Sequence, residues 1–543
     1  MSADHVHPLI QRGRDAVIAG DLPTIVACAE ARLREAPNDL DALELRALAQ
    51  IRTGDQTGAV ATQRAALAID PACDWAAADL VLLLTEMGDR SGAEAAARTA
   101  LAARPDTADL HNLLGALLSE QDDLPDGERH LRRALTLAGP HPHVLRNLAV
   151  NLTRQGRHDE ADPLFAQAHR AAPRDAEVLA HWARLHEARG DFERAHALLE
   201  QAEARGADVR LQRAVTIARQ GDDLGALAVI DGMEGDPGGD ALLERGRLLE
   251  RLGRYDEAWD AYASGKRKLA AKLGVSYDAA DVEARFERFA RARAPHTLAA
   301  PPRAGAAQPV FILGFPRTGT TMLEQMLSSH SAVRAGGELP FMHECAAVVE
   351  YPLLADDAPA RARDFYLQRA KDYGLVHGAL FTDKMPLNET WLPLIRLAFP
   401  RSPALRMLRH PLDVCVSIFS HHMTHGEHCG YRIADIAAHL AAVEALMARY
   451  ADAGIAPEVV RYEDFVSRQD AETRRALDVC GLAFEPACLR FHENPRHAPT
   501  PSYAQVTAPL NDSSVGRWKR FSRQLEPIVP ALAPVIERLG YPL

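Results

Sequence analysis

A chain of 543 residues has room for two to four domains with real cores, which sets aside the small stapled folds. Its formal net charge of −12 argues against general nucleic-acid binding, although a local basic pocket for an anion stays open. Seven scattered cysteines (Cys28, Cys73, Cys345, Cys415, Cys429, Cys480, Cys488), odd in number and without a CxxC pair, argue against a disulfide framework and fit free thiols in a reducing compartment.

The opening residues, MSADHVHPLIQRGRD, lack the apolar run of a secretory signal, and no segment is apolar for the length of a bilayer span. A cytoplasmic location is the expectation. A repeat then fills the first half. Gly20, Gly54, Gly88, Gly156 and Gly190 fall on one 34-residue grid, with Asp122 at the missing step. Prolines follow 17 residues later at Pro37, Pro71, Pro105 and Pro173, and one residue late at Pro140. Each period reads as helix, glycine turn, helix, proline turn, because glycine supplies the left-handed residue after one helix and proline ends the next. Small residues recur where paired helices approach: Ala47, Gly115, Ala149 and Ala183 on the first helix, Ala59, Ala93, Ala161 and Ala195 on the second. Period and pattern resemble the tetratricopeptide repeat, which implies an all-α solenoid over residues 6–272 whose groove takes a protein or peptide partner. The last two units are shorter, turning at Gly221 and Gly253. No residue in the repeats carries a catalytic pattern.

The grid stops at about Gly274, and residues 273–304 read as a short helix (DVEARFERFARAR) followed by an Ala/Pro-rich linker. From 305 to 543 apolar bursts such as VFIL, ALRML and EVVRY alternate with helical stretches such as IADIAAHLAAVEALMARYADAG, the pattern of a parallel sheet with helices on both faces. The expected fold class is therefore α followed by α/β.

Within PVFILGFPRTGTTMLEQMLSSH, Val310 to Leu313 reads as a buried strand and Thr320 onward as an amphipathic helix, with Met322, Leu323, Met326 and Leu327 apolar. The intervening loop, Gly314 to Thr321, sits at a helix N-terminus, where backbone N–H groups and the positive dipole end attract phosphate-like anions. A Walker loop would have lysine at position 320; threonine stands there, and the cation is Arg317. That weakens an ATPase or kinase reading. A sulfuryl group carries less charge than a phosphoryl group, so arginine, lysine and N–H donors suffice for its transfer without a magnesium clamp. A plain strand-to-helix turn is the alternative for the loop alone.

Three further elements follow. LRHPLDVCVS places Arg409 after the strand ALRML and Ser417 eight residues on, within a helix starting near Pro411, so the two can hold one phosphate from two sides. VVRYEDF puts Tyr462 at a strand end, suited to an adenine ring, and SSVGRWKRF combines Arg517, Trp518 and Lys519. Taken together, the four elements resemble the sulfotransferase family over about residues 308–525, in the family's order and with its Arg-to-Ser spacing. The resemblance implies a P-loop-like domain using 3′-phosphoadenosine 5′-phosphosulfate (PAPS) as co-substrate with no metal. It implies that Arg317, Thr318, Gly319, Thr320 and Thr321 cradle the 5′-phosphosulfate, that Arg409 and Ser417 take the 3′-phosphate, that Tyr462 packs near adenine, and that Arg517 and Trp518 close over the nucleotide.

HSAVRAGGELP is similar to the segment that holds the catalytic acid in the tyrosylprotein sulfotransferase branch, which implies Glu338 as catalytic residue, with SYAQV bringing Ser502 to the sulfuryl position. That branch is lumenal and membrane-tethered and lacks repeats, so the layout looks more like a bacterial-type sulfotransferase fused to repeats. TDKMPLN sets Lys384 where cytosolic sulfotransferases carry a histidine. A lysine suits charge stabilisation better than proton abstraction, which leaves Glu338 as general base. Structural readings stand beside both: a capping or solvent-facing acid, and a salt-bridging lysine.

SHHMTHGEHCG crowds His421, His422, His425, His428 and Cys429 together; the i, i+4 pair could chelate zinc, but Gly426 breaks the helix and a place lining the acceptor pocket is preferred. The expected activity is sulfuryl transfer to a hydroxyl of a peptide, saccharide or small molecule, with no nucleic acid and no membrane span. The alternatives are a scaffold whose nucleotide-binding domain has lost turnover, and a phosphotransferase needing magnesium and ATP.

Overall fold

The computed structural model describes residues 6–292, 308–376, 380–423, 428–494 and 509–543. The chain divides into two compact units, Met1–Leu185 and His186–Leu543.

The first unit is a succession of antiparallel helix pairs, from Pro8–Ala19 and Leu22–Glu35 onward. The turn within most of these pairs has a two-residue rule of which the sequence grid shows only half; the turn at Gly156 departs from it, since Arg157 gives no side-chain cap. Gly20, Gly54 and Gly88 take φ of 71°, 78° and 81° after the first helix. The next residue, Asp21, Asp55 or Asp89, caps the second helix by accepting its third amide. A left-handed C-terminal residue followed at once by an aspartate N-cap satisfies both helix ends within one turn. Asp122 fills the missing glycine step with φ 67°, and Asp123 caps after it. Aspartate is among the few non-glycine residues that tolerate this region.

The small positions are small because backbones touch there. A Cβ added at Gly115, on the helix Ala108–Glu120, would lie 2.8 Å from the Gly127 carbonyl oxygen and 2.7 Å from Leu131 Cγ of the facing helix. Gly115→Ala should therefore cost about 1–3 kcal/mol by overpacking. A lowered urea midpoint for the unfolding of this unit checks it.

In the second unit helix pairs continue through Gly239–Arg251 and Tyr255–Leu273 to Ala279–Phe289, and then the sheet begins. Its strands are β1 (Gln308–Leu313), β2 (Val333–Arg334), β3 (Leu380–Asp383), β4 (Ala404–Leu408) and β5 (Glu458–Arg461), all parallel in the order β2-β3-β1-β4-β5. Successive β1 residues point to opposite faces: Val310 and Ile312 enter one buried cluster, Phe311 and Leu313 the other. Helices cover both faces, as the alternating apolar bursts imply. The two-residue edge strand β2 is too short to leave a period in the sequence. Among the described residues, no helix is long and apolar enough to cross a membrane.

The second cluster does not stop where the repeats do. Tyr262, Phe286 and Phe289 belong to the same buried group as Phe311, Phe341 and Phe419. Trp259 lies 4.8 Å from the Phe419 ring and 5.5 Å from Phe521. The change of texture near residue 305 thus falls inside the second unit, and residues 293–307 of the linker lie outside those described.

Candidate functional site

Ligands of open α/β sheets bind beyond the carboxyl ends of the strands. Here each strand delivers one candidate group to that edge. The loop Gly314 to Thr321 follows β1, Glu338 follows β2, Lys384 follows β3, Arg409 follows β4 and Tyr462 follows β5. The strand order therefore ranks them laterally as Glu338, Lys384, loop, Arg409, Tyr462.

The loop is held in the left-handed region at three places: Gly314 (φ 138°), Arg317 (φ 72°) and Gly319 (φ 107°). A Cβ at Gly314 would meet the Met407 carbonyl oxygen at 2.6 Å, and one at Gly319 would meet the Tyr462 ring at 2.9 Å. Both glycines are thus required by close approach as well as by φ. Thr318 Oγ1 donates to the Phe315 carbonyl at 2.7 Å and ties the loop to itself. Thr320 and Thr321 open the helix Thr320–Ser328, and the Met322 and Leu323 amides both donate to the Gly319 carbonyl, at 3.0 and 3.2 Å.

Arg317 Nε donates to Ser417 Oγ at 3.0 Å, so the loop cation and the helix Pro411–Phe419 meet. Arg409 Nη1 donates to the Arg317 carbonyl at 3.2 Å, and its guanidinium lies 5.0 Å from the Tyr462 ring centre. Its Nη2 donates to the Ser514 carbonyl, while its buried Nε has no hydrogen-bond partner among the described residues. Arg317, Gly319, Thr321, Arg409, Tyr462 and Phe491, with Leu510, Asn511, Ser513 and Ser514, line a cleft open to solvent. Burial, and then the guanidiniums of Arg409, Arg517 and Arg247, pull the Arg317 pKa down to about 9. The cleft lining combines the cations Arg317 and Arg409 with the apolar side chains of Phe491 and Leu510.

The structure places the remaining candidates beside this centre. Arg517 Nε donates to Glu250 Oε1 at 2.6 Å and its Nη2 to Ser420 Oγ at 3.0 Å. The amides of Gly516 and Trp518 donate to the buried Asp413 carboxylate at 2.8 and 2.7 Å, and Trp518 stacks on His410 at 5.1 Å. Neither Arg517 nor Trp518 is among the residues lining the cleft. On the other flank the Lys384 ammonium, 1% exposed, donates to the Glu338 carboxylate. The backbone before Glu338 is pinned: Gly337 N–H donates to Glu324 at 2.9 Å, and the Lys384 amide donates to the Gly337 carbonyl at 2.9 Å. Ser502 and His425 lie outside the described residues.

His421 is drawn to the cation cluster. Its Nδ1 lies 2.8 Å from the Ser417 carbonyl and its Nε2 3.5 Å from Arg317 Nη2, a pairing that fits the Nδ1–H tautomer. Burial first, then Arg317, Arg247 and Arg517, hold its pKa well below the usual value, so it is neutral. His422 bonds Asp240 at 2.8 Å. Among the described residues no group of three or more His, Cys, Asp or Glu is placed to hold a metal.

Several residues of the site escaped sequence reading. Asp413 and Ser513 stood inside quoted motifs without a distinguishing pattern. Phe491 and Leu510 carry no motif, and Glu250 lies in the repeats.

A family model described as the sulfotransferase family matches residues 309–486, and three tetratricopeptide-repeat models match residues 10–72, 106–174 and 152–216. An uncharacterized protein of Aquifex aeolicus (strain VF5) is 27% identical over 324 residues, 54% of this chain and 41% of its own length. The chain thus spans about two-fifths of that curated relative. A tetratricopeptide repeat protein from Parabacteroides merdae is 18% identical, covering 49% of this chain and 96% of its own, with a TM-score of 0.34. A thermophilic repeat protein of Thermus thermophilus is 23% identical, covering 33% and 96%, with a TM-score of 0.28. The chain is a tetratricopeptide-repeat protein with a sulfotransferase-family domain at residues 309–486.

Proposed function

We propose that this protein moves a sulfuryl group from PAPS to a hydroxyl acceptor, in the manner of the tyrosylprotein branch that the Glu338 context resembles, and that the repeats recruit the acceptor or a protein partner. The observation that carries the reading is the convergence of Arg317 and Arg409 on one cleft beside a helix N-terminus, with Ser417 bonded to Arg317. The donor group suits these residues. Arg409 Nε is a buried donor lacking an acceptor among the described residues, which a 3′-phosphate oxygen would supply, and an anion would offset the burial and the neighbouring guanidiniums that depress Arg317. Phe491, Leu510 and Tyr462 offer apolar and aromatic surface for adenine.

When bound, the donor supplies an electrophilic sulfur and a phosphate leaving group. The chain's residues do the rest. The loop amides and Arg317 orient the phosphosulfate, and Lys384 contributes positive charge where the leaving oxygen develops charge. Glu338 accepts the proton of the acceptor hydroxyl as its oxygen attacks sulfur in line and the bond from sulfur to the phosphate oxygen breaks. The pair Glu338 and Lys384 brings base and cation together on one flank of the loop.

Titration of the full-length protein with 3′-phosphoadenosine 5′-phosphate in the presence of a chelator tests the donor site. Binding should persist without metal and exceed that of AMP by at least about tenfold, because a desolvated phosphate pair contributes more than about 1.4 kcal/mol. Equal affinity for AMP sinks the 3′-phosphate role of Arg409.

A further inference from the structure

The helix Gly239–Arg251 lies in the part of the chain whose period marks it as repeat, yet its Glu250 pairs with Arg517 from beyond the sheet. Glu250 takes Arg517 in a two-pronged pair, Nε to Oε1 at 2.6 Å and Nη2 to Oε2 at 2.5 Å. Tyr262 Oη donates to the same Oε2 at 2.8 Å, and Arg520 Nη1 reaches Oε1 at 3.5 Å. Glu250 is 8% exposed and Arg517 14%, so the pair is shielded from water. Next to it, Arg247 Nη1 donates to the Ser420 carbonyl at 3.3 Å, and the buried Lys266 ammonium donates to the His421 carbonyl.

Three guanidiniums, those of Arg409, Arg517 and Arg247, act on Arg317. Like charges at such range in a buried setting drive one another toward solvent unless a carboxylate holds them. Among the described residues, Glu250 is the carboxylate in ion-pair contact with Arg517. Through Nη2 the same guanidinium bonds Ser420, whose hydroxyl lies 3.1 Å from His421 Nδ1, and His421 in turn meets Arg317. Nη1 is the nitrogen of Arg517 engaged by neither Glu250 nor Ser420.

We propose that Glu250 is a positioning residue for donor binding: it fixes Arg517 beside the Arg317, Ser417 and His421 cluster, so that the last repeat pair is part of the machinery that binds the nucleotide. The inference rests on the sulfuryl-donor reading above. A bidentate pair both neutralises the guanidinium and sets its plane, and the amide Glu250→Gln keeps the size while removing the charge. Because binding is reciprocal, a filled cleft would in turn stiffen this helix pair.

The test is a mutant cycle on the full-length protein, read by calorimetric titration with 3′-phosphoadenosine 5′-phosphate: parent, Glu250→Gln, Arg517→Ala and the double variant. Glu250→Gln should weaken binding about tenfold or more in the parent background and less than about twofold once Arg517 is alanine, since a residue acting through a partner loses its effect with it. An equal loss in both backgrounds reduces Glu250 to a structural role and overturns the proposal, as does unchanged or tighter binding by Glu250→Gln. Should Glu250→Gln not fold, Glu250→Asp keeps the charge but shortens the fork, and the same interaction with Arg517→Ala is expected from it. A parent that binds no nucleotide defeats the donor reading itself, which this cycle separates from a parent that binds and a Glu250 variant that binds equally well.

Discussion

Glu338→Gln should bind 3′-phosphoadenosine 5′-phosphate like the parent while losing roughly 10²–10⁴-fold in kcat, the range of a removed acid or base group. A general base acts on the acceptor proton and leaves donor affinity alone. The amide preserves an oxygen for the Lys384 ammonium, which is 1% exposed and has this carboxylate as its ion-pair partner. The substitution thus deletes basicity with the least disturbance of packing. Lys384→Ala should also slow transfer, by removing positive charge from the leaving oxygen and the sulfuryl group. A nitrophenol acceptor separates the two. Its oxygen is already ionised, so the Glu338→Gln defect should shrink while the Lys384→Ala defect remains. Normal turnover of Glu338→Gln on the natural acceptor would remove Glu338 as base. His421 is then a poor replacement, because its Nδ1 and Nε2 are engaged with Ser417 and Arg317.

Arg409→Ala should weaken the same nucleotide by about 2–5 kcal/mol, the cost of truncating one partner of a desolvated charge pair. Two effects add. The 3′-phosphate loses its guanidinium, and the Arg317 carbonyl and Ser514 carbonyl lose the donor that ties loop to cleft wall. Arg409→Lys should recover only part of the affinity, since an ammonium restores charge but cannot reproduce the planar fork. The penalty should be larger for 3′-phosphoadenosine 5′-phosphate than for AMP. Calorimetric titration of both ligands against both variants checks this, and equal penalties would assign Arg409 to loop support alone.

The parts of the fold that were legible in the sequence are those with a period or a local backbone demand. The repeat grid showed because a left-handed turn tolerates few residues, and even its exception, Asp122, obeys that rule with φ 67°. The strand of Val310 to Leu313 and the loop after it were legible because four apolar residues run into two glycines that must approach Met407 and Tyr462. Arg409 and Arg406 show where legibility ends. They stand three residues apart, but Arg406 lies within β4, its Nη2 2.6 Å from Glu444 and its Nε on Glu389, while Arg409 lies past the strand end at the cleft. Only position relative to the strand end distinguishes a core ion pair from a site cation. The Glu250 and Arg517 pair was illegible for another reason: 267 residues separate its members, and a tertiary ion pair leaves no spacing to read. Composition changes near residue 305, but it does not register that Tyr262 and Phe419 share one buried cluster.

The central claim is transfer of a sulfuryl group, and the most direct measurement follows sulfur. The full-length protein is incubated with PAPS radiolabelled in the sulfuryl group, a chelator and a lysate of its host, and the products are separated. The account predicts that label moves from donor to an acceptor hydroxyl, that it does so without added metal, and that Glu338→Gln slows the movement roughly 10²–10⁴-fold while still binding nucleotide. A parent protein that binds the donor yet leaves all label on it across every lysate fraction would contradict the account and favour a nucleotide-binding scaffold.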